Sequence, residues 1–113
     1  MESPRRSAIV YVHTSVAGEA AGGILRLQKT IARNWAEANG YTVARVMADI
    51  GRRSQLKDVL QAIQQKEFQA LAISSIETLG GSAASVILLG LNQVGGVLLS
   101  AKERLAATGL FNR

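Results

Sequence analysis

Four short apolar runs alternate along the chain with three segments of helical periodicity. The runs occupy residues 7–12, 41–47, 68–74 and 97–100, and they are too short for helices, so they predict strands. The run 7–12 is nearly continuously apolar, which is typical of a strand buried on both faces of a parallel sheet, whereas Val43 and Val46 alternate with polar positions in the run 41–47. The order β-α-β-α-β-α-β therefore predicts an α/β fold in which helices cover both faces of the sheet.

The intervening segments carry apolar side chains at every third or fourth position, which is the spacing of an amphipathic helix. The first helix is expected over residues 24–38, and Asn39 and Gly40 are expected to end it. Ser54 and Ser82 are predicted to be the N-caps of the second and third helices. Residues 13–23 are rich in glycine and small polar residues, so they are predicted to form a loop.

Right-handed crossovers leave few arrangements for such strands, and the expected order is 2-1-3-4. The predicted fold is a small, doubly wound, mostly parallel sheet that changes winding direction between strands 1 and 3. Ligands of such folds bind beyond the carboxyl ends of the strands at that switch point. The topology thus predicts a site between the loops 13–23 and 75–82, with residues 49–53 beside them.

The 113 residues suffice for one domain, and 48% of them are hydrophobic, which is enough for one core. We expect a flexible N-terminus over residues 1–6, one domain over residues 7–101 and a short tail over residues 102–113. The chain has no cysteine and a single histidine, His13, which excludes a disulfide framework, a thiolate zinc site and a multi-histidine site. Neither a metal nor a cofactor is expected.

The net charge of +5 permits a polyanionic partner without requiring one. No apolar run approaches the roughly 18 residues of a membrane span, and the polar first residues do not resemble a signal peptide. The sequence therefore predicts a cytoplasmic protein that does not contact a membrane.

Polar candidates for a functional site follow the ends of strands 1, 2 and 3: His13 and Ser15, then Arg52 and Arg53, then Glu77 and Thr78. Arginine presents a planar fork of donors, and the backbone N–H groups at a helix start add positive potential. Together with the hydroxyl groups, these features suit a phosphate oxyanion. Arg52 and Arg53 are the candidate contacts to a phosphate or to DNA.

Three segments carry motif-like spacing in one order. Tyr11-Val12-His13-Thr14-Ser15 resembles a Tyr-x-Arg-x-Ser signature, residues 53–56 (RSQL) resemble Arg-Pro-Gly-Leu, and residues 76–81 (IETLGG) resemble Leu-Asp-Arg-Leu-Gly/Ser-Arg. Gln28, residues 35–41 and Asp49 match the same family at intermediate positions. From about residue 7 to residue 101, the chain is thus similar to the N-terminal catalytic domain of resolvase/invertase-type serine recombinases.

In that family a serine hydroxyl attacks a DNA phosphodiester and forms a phosphoserine link, while several arginines stabilise the transferring phosphoryl group. The resemblance implies that Ser15 occupies the nucleophile position and Arg53 one of the arginine positions. It also implies replacements at other catalytic positions, with His13, Thr78 and Gly81 in place of arginines and Glu77 in place of an aspartate. Losing one such arginine can cost on the order of a thousandfold in rate, so we expect a degenerate site.

The function expected first is a stand-alone, degenerate relative that acts as a binding or oligomerisation module linked to DNA or to a recombinase partner. The family continues into a long helix and a DNA-binding domain, whereas only residues 102–113 follow strand 4 here, so an intact recombinase is not expected. One alternative is an active recombinase fragment that uses Ser15, and a second is a small nucleotide- or anion-binding protein. The third helix is apolar nearly all round, which favours a homodimer or a larger homo-oligomer.

Overall fold

The structure is a computed structural model that describes residues 6–108, with the backbone alone at residues 82–83 and 107–108. This part of the chain forms five strands, three α-helices and one 3₁₀ turn. In chain order they are β1 (Ser7–Thr14), α1 (Glu19–Ala38), β2 (Thr42–Ile50), α2 (Leu56–Gln64), β3 (Ala70–Ile73), the 3₁₀ turn (Ile76–Leu79), α3 (Gly81–Val94), β4 (Val97–Ser100) and β5 (Leu105–Thr108).

The strands form one sheet in the order β2-β1-β3-β4-β5. The pairs β1–β2, β1–β3 and β3–β4 are parallel, so the predicted order 2-1-3-4 and the predicted doubly wound α/β fold are confirmed. The sequence prediction missed β5, which pairs with β4 in antiparallel orientation at the sheet edge. Part of the expected C-terminal tail, residues 105–108, is therefore a strand of the sheet, and residues 109–113 lie outside the described part of the chain.

Apolar side chains fill both faces of the sheet. On one face α1 lies over β1 and β3, where Ala32 and Ala36 pack against Val10, Ala72 and Leu99. The alanines permit close approach of the helix backbone to the sheet. On the other face α2 and α3 enclose a second cluster of larger side chains, among them Ile9, Tyr11, Val59, Ile63, Leu71, Ile87, Leu91 and Leu98. Burial of these side chains supplies the main driving force for folding.

Helix α1 begins at Glu19, five residues earlier than the sequence indicated, so the prediction of a loop over the whole of residues 13–23 was wrong. The loop prediction gave too much weight to Gly22 and Gly23. Each glycine costs a helix only about 1 kcal/mol relative to alanine, which tertiary packing can offset. Burial of Ala21 against the sheet and the acidic Glu19 in the first turn favour the helical conformation. The loop after β1 is correspondingly short.

Neither predicted serine cap is the N-cap of its helix. Gln55 is the N-cap residue of α2, and the Ser54 hydroxyl instead donates to Asp49 Oδ1 over 3.3 Å. Gly80 is the N-cap of α3, which begins at Gly81 rather than after Ser82. Tertiary contacts of Asp49 and Arg53, described below, determine where both helices begin.

The predicted flexible N-terminus lies outside the described residues except for Arg6. The Arg6 carbonyl accepts a hydrogen bond from Thr42 N over 2.8 Å, and its guanidinium lies 5.8 Å from the centre of the Tyr41 ring. No helix within residues 6–108 combines the length and the apolar character that crossing a membrane requires.

Candidate active site

A polar cavity of about 310 Å³ lies at the carboxyl ends of β1 and β3, where the sheet changes winding direction. This is the place at which doubly wound folds bind ligands. The cavity collects side chains from the end of β1 and the loop after it, from α1, from the loop after β2, and from the loop and 3₁₀ turn after β3. They are His13, Thr14, Ser15, Gln28, Arg53, Ser74, Ser75, Glu77 and Thr78. Five of the six predicted site residues line it. Arg52 is exposed and is not among the lining residues.

Ser15 is the first residue after β1, and it is exposed at the mouth of the cavity. The preceding Thr14 is buried, and its Oγ1 accepts a hydrogen bond from Val16 N over 3.1 Å. This local turn holds the backbone on either side of Ser15. The Ser15 hydroxyl therefore faces solvent at the rim of the cavity.

His13 is fixed through both its backbone and its ring. The Gln28 side chain accepts from His13 N over 2.9 Å and donates to His13 O over 2.7 Å, so it pairs with β1 much as a neighbouring strand would. The His13 Nε2 lies 2.7 Å from Gly51 O. Because a carbonyl oxygen can only accept, Nε2 carries the proton and donates it there. The ring thus ties β1 to the loop after β2.

Arg53 crosses from that loop to the 3₁₀ turn. Its Nε donates to the Thr78 carbonyl over 3.0 Å, and its guanidinium lies beside Gly80. A Cβ atom at Gly80 would lie only 2.7 Å from Arg53 Nη1. Gly80 also has a φ of 79° and a ψ of 164°, a conformation that is essentially restricted to glycine. Gly80 is therefore required both for its own backbone and for the position of Arg53.

Glu77 and Thr78 differ in their surroundings. Thr78 is buried, and its Oγ1 lies 3.4 Å from Ser74 Oγ. The Glu77 side chain is 82% exposed and its carboxylate lies 3.7 Å from Lys102 Nζ. An ion pair that exposed contributes little to stability, so Glu77 presents its charge largely to solvent at the cavity rim.

Asp49 organises the start of α2 and lies outside the cavity. Its Oδ2 accepts from the Tyr11 hydroxyl over 2.7 Å and from Gln55 N over 2.9 Å, which satisfies an N-terminal N–H group of the helix. Burial raises the pKa of the Tyr11 phenol above its usual range, and the hydrogen bond to Asp49 adds to this effect. Asp49 matched the family motif in the sequence, but its pairing with Tyr11 is visible only in the structure.

The turn between β4 and β5 supports the loop and 3₁₀ turn that follow β3, a contact that sequence analysis did not identify. The carboxylate of Glu103 accepts hydrogen bonds from the Ser100 hydroxyl, from Ile76 N and from the Ser75 hydroxyl, the last two over 3.3 Å each. Partial burial raises the pKa of Glu103, but the hydrogen bonds from Ser100, Ile76 and Ser75 outweigh it, so the pKa is lower than usual. No sequence signal indicated this contact because it depends on β5.

Within residues 6–108, no group of three or more His, Cys, Asp or Glu side chains is arranged so that it could hold a metal ion. The cavity lining is dominated by hydroxyl, amide and carbonyl groups. Such a lining can hydrogen-bond an oxyanion, and in the described residues Arg53 is its one guanidinium.

The fold is that of the catalytic domains of serine recombinases, in agreement with the resemblance seen in the sequence. A resolvase family site-specific recombinase from Streptococcus pneumoniae is similar at a TM-score of 0.76 and 18% identity, over 91% of this chain and 76% of that one. The N-terminal catalytic domain of TP901-1 integrase is similar at a TM-score of 0.73 and 20% identity, over 89% of this chain and 82% of that one.

The C-terminal catalytic domain of ISC1926 TnpA, an IS607-like serine recombinase, is similar at a TM-score of 0.70 and 20% identity, over 83% of this chain and 67% of that one. No protein-family model and no curated protein matches the sequence. Identities this low show the shared fold, and the chemistry of the site has to be argued from the side chains of this chain.

Proposed function

We propose that this chain is a resolvase-type domain that does not cleave DNA and instead acts as a binding and assembly module, linked to DNA or to a recombinase partner. The observation that carries the proposal is the charge at the cavity. In the described lining, Arg53 and Glu77 are the two formally charged side chains, one of each sign, so their formal charges cancel.

Transfer of a phosphoryl group spreads negative charge over its oxygens, and enzymes stabilise that charge with several fixed cations or metal ions. Here the Nε of Arg53 is already bonded to Thr78 O, and His13 donates its Nε2 proton to Gly51 O. Glu77 adds a carboxylate at the rim, where its partner is the exposed Lys102 at 3.7 Å. These contacts support a cavity that keeps the shape of a phosphoester site with one guanidinium in place of several fixed cations.

The test of lost cleavage is a covalent trap. Nicked duplex oligonucleotides with randomised central sequence serve as suicide substrates, and denaturing electrophoresis detects any protein–DNA adduct. An active serine recombinase on its own substrate provides the positive control. We expect no adduct with this protein. An adduct that forms with the wild type and disappears in Ser15→Ala would refute the proposal and establish the active-recombinase alternative.

Self-assembly through α3 is the second part of the proposal. Val86 and Leu89 lie on this helix with 59% and 52% of their surfaces exposed, which is unusual for large apolar side chains one turn apart. We expect sedimentation analysis to give a dimer or a larger assembly at a protein concentration on the order of 10 μM or above. Leu89→Asp should shift the mass to that of a monomer, and a monomeric wild type would contradict this part.

DNA contact is tested separately through its salt dependence. A protein that neutralises phosphates with Lys and Arg loses affinity linearly on a log–log plot against salt concentration. We expect such a slope for a duplex oligonucleotide. A slope near zero would remove DNA and leave a recombinase or another protein as the partner.

A further inference from the structure

Among the strands that the structure describes, β2 has the long open edge of the sheet. β2 has nine residues and stands at one end of the strand order, while the opposite edge, β5, has four. The indole Nε1 of Trp35 donates to Leu105 O over 2.7 Å and ties the start of β5 to α1. An open edge presents a row of N–H and C=O groups that can pair with another extended chain.

The direction of these groups follows from the ladder with β1. Gly51 N donates to Thr14 O over 2.8 Å, and because successive residues of a strand face opposite edges, Val46, Ala48 and Ile50 turn their N–H and C=O groups away from β1. Consistent with this, Ala48 O accepts from the exposed Gln55 side chain over 2.7 Å. That amide occupies a position that an N–H group of an added strand would take.

An apolar groove of about 290 Å³ runs along this edge between β2 and α1. Leu25, Val46 and Ala48 form its walls. Gly22 of α1 also lines the groove and leaves it open because glycine has no side chain. Val46 and Ile50 keep 37% and 53% of their surfaces exposed on the same face of β2. Alternate side chains of an added strand would enter this groove, since they point to one face of the sheet.

The groove is basic along its helical side. Arg26 and Lys29 line it, and Arg33 continues the same stripe of α1 at helical spacing. The two ion pairs found among the described residues, Arg45–Glu67 and Lys102–Glu77, do not involve this stripe. An occupant of the edge would therefore gain most if it carried carboxylates next to its apolar side chains.

We propose that β2 takes up an extended acidic peptide as an added strand, with its apolar side chains in the groove beside α1 and its carboxylates at Arg26 and Lys29. A second copy of this chain fits less well. Antiparallel pairing of two β2 edges about a two-fold axis would place both α1 helices on the same face, with their basic stripes towards each other. The inference does not depend on the cavity at the strand ends, and strand addition is a common mode of peptide recognition.

The probe is a capped, fluorescein-labelled peptide of alternating Glu and Val, nine residues long to match β2. Fluorescence anisotropy at physiological salt measures its binding. The same peptide with N-methyl groups on the amides of its pairing edge cannot donate hydrogen bonds to β2. We expect it to bind at least about tenfold more weakly. Equal binding of the two peptides would overturn strand addition.

The chain offers a matched pair of variants. Gly22→Leu fills the groove, and Gly23→Leu adds the same side chain one position along α1, outside the lining. A Cβ atom meets nothing within 4 Å at either position, and replacing a helical glycine favours the helix. We expect Gly22→Leu to weaken binding by at least about tenfold and Gly23→Leu to leave it unchanged. Equal effects of the two substitutions would overturn the assignment to this groove.

Two further outcomes decide against the proposal. One is no binding of the peptide up to about 1 mM, which corresponds to a negligible affinity for an interface of this kind. The other is displacement of the peptide by a duplex oligonucleotide whose own affinity is the same for Gly22→Leu and for the wild type. The basic stripe of α1 would then be a nucleic-acid contact. In support, amide hydrogen exchange at Val46, Ala48 and Ile50 should slow when the peptide is bound.

Discussion

Replacing Gly80 by alanine tests how Arg53 is held at the wall of the cavity. The backbone conformation of Gly80 costs an L-residue about 1–3 kcal/mol. The added Cβ would also lie 2.7 Å from Arg53 Nη1 and 2.8 Å from its Cζ, so the guanidinium has to move. That movement breaks the bond from Nε to Thr78 O, which should contribute about 1–2 kcal/mol for a charged donor at a half-buried site. The expected total loss is about 2–5 kcal/mol.

Urea denaturation followed by circular dichroism measures the free energy of unfolding, and Gly18→Ala is the matched control. Gly18 is the N-cap of α1 with a φ of 83° and a ψ of −156°, close to the conformation of Gly80, but a Cβ there meets nothing within 4 Å. The difference between the two variants therefore isolates the displacement of Arg53. In an Arg53→Ala background the difference should disappear. Equal losses for Gly80→Ala and Gly18→Ala in the wild-type background would refute the reasoning.

Three further substitutions probe hydrogen bonds that connect distant parts of the chain. Tyr11→Phe removes the buried donor to Asp49 and should cost about 1.5–3 kcal/mol in urea denaturation. Because the pKa of Tyr11 is raised in the folded state, the protonated phenol stabilises the fold fully below about pH 10, and this stabilisation is lost as the pH rises further. Tyr11→Phe should not show this loss of stability at alkaline pH. The pKa of Glu103 is lowered in the folded state, so the stabilisation by its carboxylate is present above about pH 4.3 and is lost as the pH falls. If the free energy of unfolding fell with pH in the same way in the wild type and in Glu103→Gln, this would be contradicted. Trp35→Phe removes the donor to Leu105 O and should speed hydrogen exchange in β5 while leaving β1 protected.

The strand order could be predicted because the parallel part of the fold is encoded locally. Apolar runs at residues 7–12 and 97–100 are short and nearly continuous, and right-handed crossovers leave little choice in how they pair. β5 could not be predicted in this way. Leu105–Thr108 is four residues long, and it forms a strand only because β4 offers it an antiparallel edge and Arg104 adopts a φ of 56° in the turn before it.

The candidate site likewise has parts that could be predicted from the sequence and parts that could not. His13, Ser15 and Thr78 could be predicted to meet, because strand ends at a switch point converge whatever the loops contain. The roles of Gly80 and Glu103 could not, since each depends on a side chain or strand that is distant in sequence. Gly80 makes room for Arg53 from the loop after β2, and Glu103 reaches Ile76, after β3, only through the β4–β5 turn. Residue type alone carries no signal for such contacts.

The position of Arg53 follows from the short connection between β2 and α2. Asp49 accepts from Tyr11 and from Gln55 N, which fixes the start of α2 close to the end of β2. The guanidinium of Arg53 is then within reach of Thr78 O and joins the loop after β2 to the 3₁₀ turn after β3. An arginine in this role stabilises the fold whether or not DNA is cut. Loss of function in Arg53→Ala would therefore not distinguish a catalytic arginine from a structural one, whereas a covalent adduct through Ser15 would.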